Sequence, residues 1–307
     1  MNIVVIGGNG FIGSHLVDKL LAMGHQVRVF DAMYERFRKP LEKVDYRISS
    51  LENTPDLYEA LLGIDVIFHL ASTSVPSTSN IDPVADIQSN LIPTLNVLNM
   101  AVKLGIKRIV FFSSGGAVYG NPLTEKVNEE HPLNPISSYG IVKATIEKYL
   151  FLYQRIYDIK PLILRPSNPY GPRQGHYMAQ GVISTFLRKL LINEPLTILG
   201  DGEATKDYIF VDDLIDICCR LSFSETTGVY NVGTGRGTTV NDIVERIKRI
   251  TASDINVIKS EKQIYDVSTF VLDISKTTNL VGNFAYTELD EGIAKTWSWL
   301  NADKRDN

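Results

Sequence analysis

The chain of 307 residues contains only two cysteines and five histidines. Cys218 and Cys219 are adjacent within an apolar segment and the histidines are scattered, so the spacings of a disulfide framework or of metal ligands are missing. A chain of this length can bury roughly three quarters of the surface that it exposes when unfolded, so it needs neither disulfides nor a bound metal for stability. We therefore expect two buried free thiols and no metal site.

Long apolar runs and an excess of basic residues are also missing. No apolar run reaches the roughly 18 residues of a membrane span, and Met1 leads directly into Asn-Ile-Val-Val-Ile without a basic region before it. The 31 basic residues (Lys and Arg) against 35 acidic residues give a net charge of -4, which provides no broad basic field for a nucleic acid. These absences predict a cytoplasmic protein with no membrane span and no nucleic-acid partner.

Short runs of β-branched residues alternate with segments of helical period in the first half of the chain. Such continuous apolar runs are typical of strands buried on both faces, and their alternation with helices is typical of a parallel sheet. The predicted strands are residues 3–6, 27–30, 64–70, 108–112 and 161–165, with helices at residues 11–23 and 92–102. The sequence therefore predicts an α/β fold with a doubly wound parallel sheet.

The pattern changes near residue 168, where prolines and glycines interrupt a loop-rich stretch. We expect a first domain over residues 1–167, with return segments near residues 207–233. A smaller C-terminal α/β domain is then expected over residues 168–206 and 234–307. Within it, Thr239 is placed to cap a helix that carries a single apolar stripe.

A glycine-rich segment, Gly-Gly-Asn-Gly-Phe-Ile-Gly at residues 7–13, lies between the first predicted strand and the first predicted helix. Glycines there allow a tight turn and close approach of the backbone to a pyrophosphate, and the helix N-terminus attracts negative charge. Asp31 follows Gly13 by 18 residues, where a carboxylate can accept hydrogen bonds from a ribose diol and repel a 2′-phosphate. The segment therefore predicts NAD rather than NADP as the cofactor. The predicted cofactor contacts are Gly7, Gly10, Phe11, Ile12, Gly13 and Asp31.

Tyr139 and Lys143 place a phenol and an ammonium four residues apart, on one face of a predicted helix. The spacing alone has little weight, because a chain with 14 tyrosines is expected to contain such a pair by chance. It gains weight because it follows a nucleotide-binding segment and because Ser113 and Ser114 end a buried strand 25 residues earlier. A nearby ammonium and a positive nicotinamide ring are expected to lower the pKa of the phenol, which would let Tyr139 move a proton while the nicotinamide moves a hydride.

An ordered set of motifs resembles the extended short-chain dehydrogenase/reductase family, and within it the UDP-glucose 4-epimerase-like enzymes that modify nucleotide sugars. The resemblance runs from residue 2 to about residue 300. The motifs are GGNGFIG at residues 7–13, HLA at 69–71, Asn90, SSGGAVYG at 113–120, SYGIVK at 138–143, LRPSNPYGPR at 164–173, GDGE at 200–203, DYIFVDD at 207–213 and YNVGTG at 230–235. The resemblance implies a Rossmann-type NAD-binding domain and a C-terminal domain that binds a nucleotide diphosphate sugar.

The resemblance also implies the chemistry and further site residues. Tyr139 as a phenolate would take the proton of the sugar 4-hydroxyl while the C4 hydride passes to bound NAD, and the 4-keto sugar would receive the hydride back on its other face. Lys143 would hold the ribose hydroxyls and tune Tyr139. The further cofactor contacts that it implies are Leu70, Ala71, Asn90, Ser113 and Pro166. The implied substrate contacts are Ser114, Tyr139, Asn168, Arg173, Lys206, Asp266 and Phe270. For Asn90 a helix cap and for Asn168 a turn position are the alternatives.

Several positions depart from the pattern of the family. Gly115 stands where a catalytic Ser or Thr is usual, so Ser114 is expected to supply the hydrogen bond to the sugar oxygen. Lys206 and Gln263 stand where two arginines usually bind the diphosphate. Lysine keeps the charge without the two-pronged geometry, and glutamine loses the charge as well. Arg173 is the residue expected to compensate.

The sugar is constrained by one position. Phe270 lies four residues after Asp266, where the resemblance associates a bulky side chain with exclusion of 2-acetamido sugars. This favours UDP-glucose and UDP-galactose, with a UDP-N-acetylhexosamine or another nucleotide-linked or lipid-linked sugar as the alternative.

Two other classes of function share parts of the pattern. A dehydratase or reductase would keep the Tyr139 and Lys143 pair, but dehydratases usually carry an acidic pair where this chain has Gly116 and Ala117. A non-catalytic NAD sensor would have no need for a phenol of low pKa. The family tends to form homodimers through the helix with the Tyr-Lys pair and the helix after Asn90, so a homodimer is expected.

Overall fold

The computed structural model of the chain describes residues 1–174, 181–261 and 269–303. Chain contacts divide it into two compact units. The first unit comprises Met1–Gly120, His131–Pro166 and Ile215–Tyr230. The second unit comprises Asn121–Glu130, Ser167–Leu214 and the described residues from Asn231 onward.

Strands and helices alternate through the first 166 residues. They are β1 (Asn2–Ile6), α1 (Phe11–Ala22), β2 (Gln26–Asp31), β3 (Val44–Ile48), α2 (Thr54–Leu61), β4 (Val66–His69), α3 (Pro76–Ser79), α4 (Pro83–Asp86), a π-helical turn (Ile87–Leu91), α5 (Ile92–Leu104), β5 (Arg108–Phe112), α6 (Gly115–Val118), α7 (Ser138–Tyr157) and β6 (Lys160–Pro166). The predicted alternation of buried strands and helices is confirmed.

The remaining elements follow in chain order. They are β7 (Asn168–Tyr170), α8 (Val182–Leu191), β8 (Leu196–Leu199), β9 (Thr205–Phe210), α9 (Val211–Ser222), β10 (Gly228–Val232), β11 (Gly237–Thr239), α10 (Val240–Thr251), β12 (Val257–Ser260), β13 (Thr269–Phe270), α11 (Ser275–Val281) and α12 (Leu289–Asp303).

A seven-stranded sheet of order β10-β6-β5-β4-β1-β2-β3 forms the centre of the first unit. The neighbouring pairs from β6 to β3 are all parallel. From β1 the chain adds β2 and β3 on one side, and then β4, β5 and β6 on the other side. Ligands of such sheets bind at this switch point between β1 and β4, outside the carboxyl ends of the strands. The predicted Rossmann-type, doubly wound sheet is confirmed.

Helices α2, α5 and α7 pack against one face of this sheet. Their apolar residues share a core with alternate residues of the strands, as the two-residue period of a strand requires. This core includes Leu57, Leu61, Val97, Leu98, Ile146 and Leu150 from the helices and Val4, Ile6, Ile67, Ile109, Phe111 and Ile163 from the strands. Cys218 and Cys219 on α9 are buried free thiols, as predicted.

The second unit is a smaller α/β arrangement. Strand β9 pairs in parallel with β7 and β13 and antiparallel with β11, while β8 and β12 form a separate parallel pair. Helices α8, α10 and α12 share a core with β8 and β9. Thr239 caps α10 as predicted, because its side chain accepts from the backbone N–H of Asp242 while the Asp242 side chain accepts from that of Thr239. Among the described helices, none is long and apolar enough to cross a bilayer.

Candidate active site

The glycine-rich segment connects β1 to α1 and leaves no room for side chains at two positions. Gly7 has a φ of +86°, and a Cβ added there would lie 2.7 Å from the backbone nitrogen of Ala71. A Cβ added to Gly13 would lie 2.1 Å from the carbonyl oxygen of Gly7. Because the first turn of a helix has backbone N–H groups without intrahelical partners, the loop and the start of α1 form a cradle suited to a phosphate. Phe11 and Ile12 are the first two residues of α1.

Asp31 ends β2 and adjoins this loop. Its carboxylate accepts hydrogen bonds from the backbone N–H of Asn9 at 3.0 Å and of Met33 at 2.9 Å. Burial raises the pKa of Asp31, and these hydrogen bonds oppose that shift. The side-chain oxygen of Asn9 is buried and has no partner among the described residues, although its amide donates to the Met33 carbonyl. A cradle without side chains, a fixed carboxylate and a buried acceptor fit the adenosine and pyrophosphate parts of NAD.

The end of β4 lies against the same loop. The backbone N–H groups of Leu70 and Ala71 both donate to the carbonyl oxygen of Ile6, at 2.9 and 3.0 Å. The structure therefore brings these two predicted cofactor contacts beside Gly7. Pro166, another predicted contact, is buried at the end of β6.

Asn90 has an internal role that the sequence did not indicate. Its amide donates to the Thr73 hydroxyl at 2.8 Å and to Asp86 Oδ1 at 2.9 Å, and its oxygen accepts from the backbone N–H of Thr73 at 2.9 Å. Asn90 thus ties the segment after β4 to the start of α5. A direct contact with the cofactor stays a prediction.

Tyr139, Lys143 and Ser114 come together at the carboxyl end of β5. Ser114 lies close enough to Tyr139 for a side-chain hydrogen bond that acts on the pKa of the phenol. Lys143 is buried, donates to the carbonyl oxygen of Phe112 at 2.9 Å and lies 5.7 Å from the centre of the Tyr139 ring. A hydroxyl, a phenol and an ammonium arranged in this way can exchange a proton with a bound alcohol. Ser114 immediately precedes α6, which begins at Gly115, so the hydroxyl comes from the residue before the usual position.

The pKa of Tyr139 shifts in the direction opposite to the prediction. Burial raises it to about 12, the hydrogen bond with Ser114 opposes this rise, and the charge of Asp86 adds to it. Burial also lowers the pKa of Lys143, to about 8. The nicotinamide, the other charge that the prediction invoked, acts on the phenol only when NAD is bound.

Asp86 is a site residue that the sequence did not reveal. It is buried, and its Oδ2 accepts from the hydroxyl of Ser138 at 2.6 Å while its Oδ1 accepts from that of Ser74 at 2.6 Å. The backbone N–H of Tyr139 donates to the Ser79 hydroxyl at 3.0 Å. The segment around α3 and α4 therefore fixes the first turn of α7. No local pattern marks Asp86, because its partner on α7 is 52 residues away.

Ser113 has a partner other than the predicted cofactor. Its hydroxyl donates to Glu147 at 2.5 Å, and the side chain is 4% exposed. Glu147 in turn accepts from Arg165, which is also buried. The Ser113 hydroxyl is thus directed to a buried carboxylate, and a contact of Ser113 with the cofactor stays a prediction. Glu147 lies about two helical turns after Tyr139, but only the fold shows that it meets Ser113, 34 residues earlier in the chain.

Apart from Ser114 and Tyr139, the predicted substrate contacts that the structure describes belong to the second unit. The amide of Asn168 donates to the carbonyl oxygen of Asp207 at 2.9 Å, and Lys206 is a half-buried residue of β9. Arg173 has a φ of +70°, which is unusual for a residue with a side chain. Asp266 lies outside the described residues, as does Gln263.

Phe270 does not present a surface to a sugar. It is 1% exposed and pairs in register with Lys206, in β13 and β9. A ligand can reach a side chain so deeply buried only if its surroundings move. The expectation that Phe270 excludes 2-acetamido sugars by its bulk therefore has no support in this structure. No cluster of metal-ligating side chains occurs within the described ranges.

Substitution of Asp31 by asparagine is expected to weaken NAD binding about ten-fold, because a hydrogen bond to a charged group is worth about 1.5–3 kcal/mol. The preference for NAD over NADP is expected to shrink as well, since the negative charge that repels a 2′-phosphate is removed. Calorimetric titration of cofactor-free protein with each dinucleotide measures both effects. Asp65→Asn is the matched control, because Asp65 also accepts a backbone N–H, from Asn2 at the end of β1 opposite to the loop. Unchanged affinities in Asp31→Asn would contradict the assignment.

Comparisons with known proteins agree with this geometry. Residues 3–233 match the model of the NAD dependent epimerase/dehydratase family. A UDP-glucose 4-epimerase of Mycolicibacterium smegmatis is 34% identical over 304 residues, covering 96% of this chain and 97% of that relative.

Two solved structures are similar over nearly the whole chain. The UDP-glucose 4-epimerase of Thermotoga maritima, solved with UDP-glucose, has a TM-score of 0.94 and 34% identity, covering 99% of this chain and 100% of that one. The UDP-N-acetylglucosamine 4-epimerase of Methanobrevibacter ruminantium, in complex with UDP-N-acetylmuramic acid, has a TM-score of 0.90 and 29% identity, covering 98% of both chains.

Proposed function

Because the chain belongs to the NAD-dependent epimerase/dehydratase family, we propose that it inverts carbon 4 of a nucleotide diphosphate sugar, with UDP-glucose and UDP-galactose as its substrate pair. The observation that carries this proposal is the meeting of Ser114, Tyr139 and Lys143 at the end of β5. That end belongs to the carboxyl edge of the same sheet whose β1 leads into the glycine cradle. NAD, when bound, supplies the acceptor for the C4 hydride and the donor that returns it.

The residues of the chain have separate tasks in this reaction. Tyr139 takes the proton of the sugar 4-hydroxyl at its phenolic oxygen and gives it back when the alcohol reforms. The Ser114 hydroxyl makes hydrogen bonds with the sugar 4-oxygen and with the phenol of Tyr139. Lys143 carries a positive charge close to the Tyr139 ring, where it favours the phenolate. A positioned base of this kind contributes about 10² to 10⁴ in rate.

The diphosphate and the sugar are proposed to contact residues of the second unit. Asn168 and Arg173 belong to the LRPSNPYGPR motif, and Lys206 supplies a positive charge where the family commonly has arginine. These assignments, with Asp266, rest on the resemblance of the motifs. Because Phe270 is buried, a UDP-N-acetylhexosamine stays a second candidate substrate, which the similarity to the Methanobrevibacter ruminantium enzyme supports.

Elimination of water is a weaker proposal for this chain. A dehydratase needs an acid and a base besides the Tyr-Lys pair, and Gly116 and Ala117 have no group that ionises. A Cβ added to Gly116 would meet open space. The region therefore has room for a side chain that the sequence does not provide.

A substrate panel tests the proposal. UDP-glucose, UDP-galactose, UDP-N-acetylglucosamine and UDP-glucuronic acid are incubated separately with the protein, and the products are separated by anion-exchange chromatography. We expect interconversion of the glucose and galactose forms at the highest kcat/KM. A higher kcat/KM for UDP-N-acetylglucosamine would make a UDP-N-acetylhexosamine the substrate instead. No 4-epimer from any of the four would contradict it.

Substitution of Ser114 by alanine is expected to lower kcat about ten- to hundred-fold, because a hydrogen bond to the developing charge is lost and the pKa of Tyr139 rises further. Steady-state kinetics measure the effect. Thr145→Ala is the control, since the Thr145 hydroxyl on α7 donates to the carbonyl oxygen of Ile141 on the same helix. Equal kcat values for the two variants would assign the hydrogen bond to another group.

A homodimer and a cytoplasmic location are also proposed. Helix α7 exposes Ile141, Phe151, Leu152 and Ile156, at 36% to 57%. Apolar side chains that recur along one helix are typical of an interface. Sedimentation equilibrium tests the homodimer, and a monomer at all protein concentrations would contradict it.

A further inference from the structure

Residues 112, 113 and 114, at and just after the end of β5, each contact one face of α7. Positions 139, 143 and 147 are four residues apart, so their side chains lie on the same face of the helix. The three attachments are Ser114 with Tyr139, the Phe112 carbonyl with Lys143 at 2.9 Å, and Ser113 with Glu147 at 2.5 Å. The proposed function uses the first two of them and gives no role to the third.

Glu147 is held firmly from β6. Arg165 donates to Glu147 Oε1 through Nε at 3.0 Å and to Oε2 through a terminal nitrogen at 2.5 Å. The guanidinium also donates to the Tyr119 hydroxyl at 2.7 Å. Glu147 is 1% exposed and Arg165 is 3% exposed, and charges so deeply buried persist only with close partners. The carboxylate is therefore held by Ser113 after β5 and by Arg165 of β6, whose guanidinium also donates to Tyr119, the residue after α6.

Resting on the proposed function, we propose that Glu147 is a positioning residue for the reaction. Through Ser113 it fixes the turn after β5, so that the next residue, Ser114, stays within hydrogen-bonding distance of Tyr139. The Arg165 guanidinium fixes the carboxylate that does this. Glu147 acts through Ser113 and does not touch the substrate.

The charge of Glu147 also reaches Lys143. Burial lowers the pKa of Lys143 to about 8, and Glu147 and Asp86 raise it against that effect. The other titratable groups facing Lys143 are Tyr139 and His69, and the pKa of the histidine is lowered to about 3 by burial, so it is neutral near pH 7. Glu147 thus helps to keep the lysine charged at neutral pH.

Ser113→Ala tests the positioning role with the smallest change. The variant removes the link to β5 and keeps the Glu147 and Arg165 pair, so the fold is expected to persist. We expect kcat to fall about ten-fold or more, because small misplacements of reacting groups are costly, with KM for the sugar nucleotide within about two-fold and bound NAD unchanged. Crystal structures of the wild type and the variant are expected to show a longer distance between Ser114 Oγ and the Tyr139 oxygen in the variant. These structures decide the positioning role even if the wild type converts no nucleotide sugar, an outcome that would overturn the proposed function alone.

Glu147→Gln tests the charge. Without the carboxylate the pKa of Lys143 falls below its wild-type value, so the ammonium is lost at a lower pH as the pH rises. The alkaline limb of the pH profile of kcat is therefore expected to shift to lower pH. A loss of structure alone would lower the plateau and leave the limb in place. If this variant does not fold, Ser113→Ala still decides the proposal.

Asp45→Asn is the matched control for both variants. Asp45 on β3 also pairs with an arginine, Arg28, at 2.7 Å. Its variant is expected to keep the kcat and the pH profile of the wild type. A wild-type kcat and an unchanged Ser114 to Tyr139 distance in Ser113→Ala would overturn the positioning role. An unshifted alkaline limb in folded Glu147→Gln would overturn the role of the charge.

Discussion

Replacement of Tyr139 by phenylalanine is expected to lower kcat about a thousand-fold, within the range of 10² to 10⁴ that a positioned acid or base contributes. The change removes the phenolic oxygen, which is the proposed proton acceptor, and with it the hydrogen bond with Ser114. Lys143 donates to the Phe112 carbonyl and has a charge of the wrong sign for a base while it is protonated. NAD retained by the variant, measured after denaturation, is expected to equal that of the wild type.

Tyr149→Phe is the control for this substitution. Tyr149 lies on the same helix and packs at the edge of the core of the first unit. Its variant is expected to keep the wild-type kcat. A Tyr139→Phe enzyme with more than about a tenth of the wild-type rate would contradict the role of Tyr139 as the proton acceptor.

Substitution of Gly13 by alanine is expected to abolish cofactor retention and to destabilise the protein. The new Cβ would lie 2.1 Å from the carbonyl oxygen of Gly7 and 2.8 Å from the Cα of Gly8. Because both atoms belong to the backbone, the loop must move away from α1 to make room. Overpacking of this kind costs about 1–3 kcal/mol. NAD content after purification and the Tm of the protein measure the two effects.

Gly116→Ala is the control for the loop substitution. A Cβ at Gly116 has no neighbouring atom within 4 Å, so the same added methyl group is expected to leave NAD content and Tm close to the wild-type values. Full NAD content in Gly13→Ala would show that the loop accommodates a side chain. The cradle would then not be the phosphate site.

Much of the fold could be predicted because buried parallel strands have a simple signature. Five of the seven strands of the central sheet contain a short apolar run, and the predicted runs lie at β1, β2, β4, β5 and β6. The glycine loop, Asp31 and the Tyr139 to Lys143 spacing are also local patterns. The periodicity of strands and helices is enough to place them.

The missing parts depend on contacts between distant residues. Asp86 bonds to Ser138 from 52 residues away, and Glu147 bonds to Ser113 from 34 residues away. Neither carboxylate lies in a motif. Only the packing of α4 and β5 against α7 shows that both residues surround the Tyr139 and Lys143 face.

Two predictions did not take burial into account, because a sequence does not report it. The ammonium and the nicotinamide were expected to lower the pKa of the phenol, while in the chain without NAD burial raises it to about 12. Phe270 was expected to line the sugar site, and its side chain is 1% exposed. In both cases the depth of the side chain depends on parts of the chain that are distant in sequence.

The most direct test of the central claim is proton NMR of the anomeric and ring protons during incubation in D₂O. UDP-glucose is offered to the protein as purified, with no dinucleotide added. We expect UDP-galactose to form without deuterium in the sugar ring, because the hydride that leaves carbon 4 is the one that returns. Deuterium at a ring carbon, or a 4-keto-6-deoxy product with deuterium at carbon 6, would contradict epimerisation by hydride return.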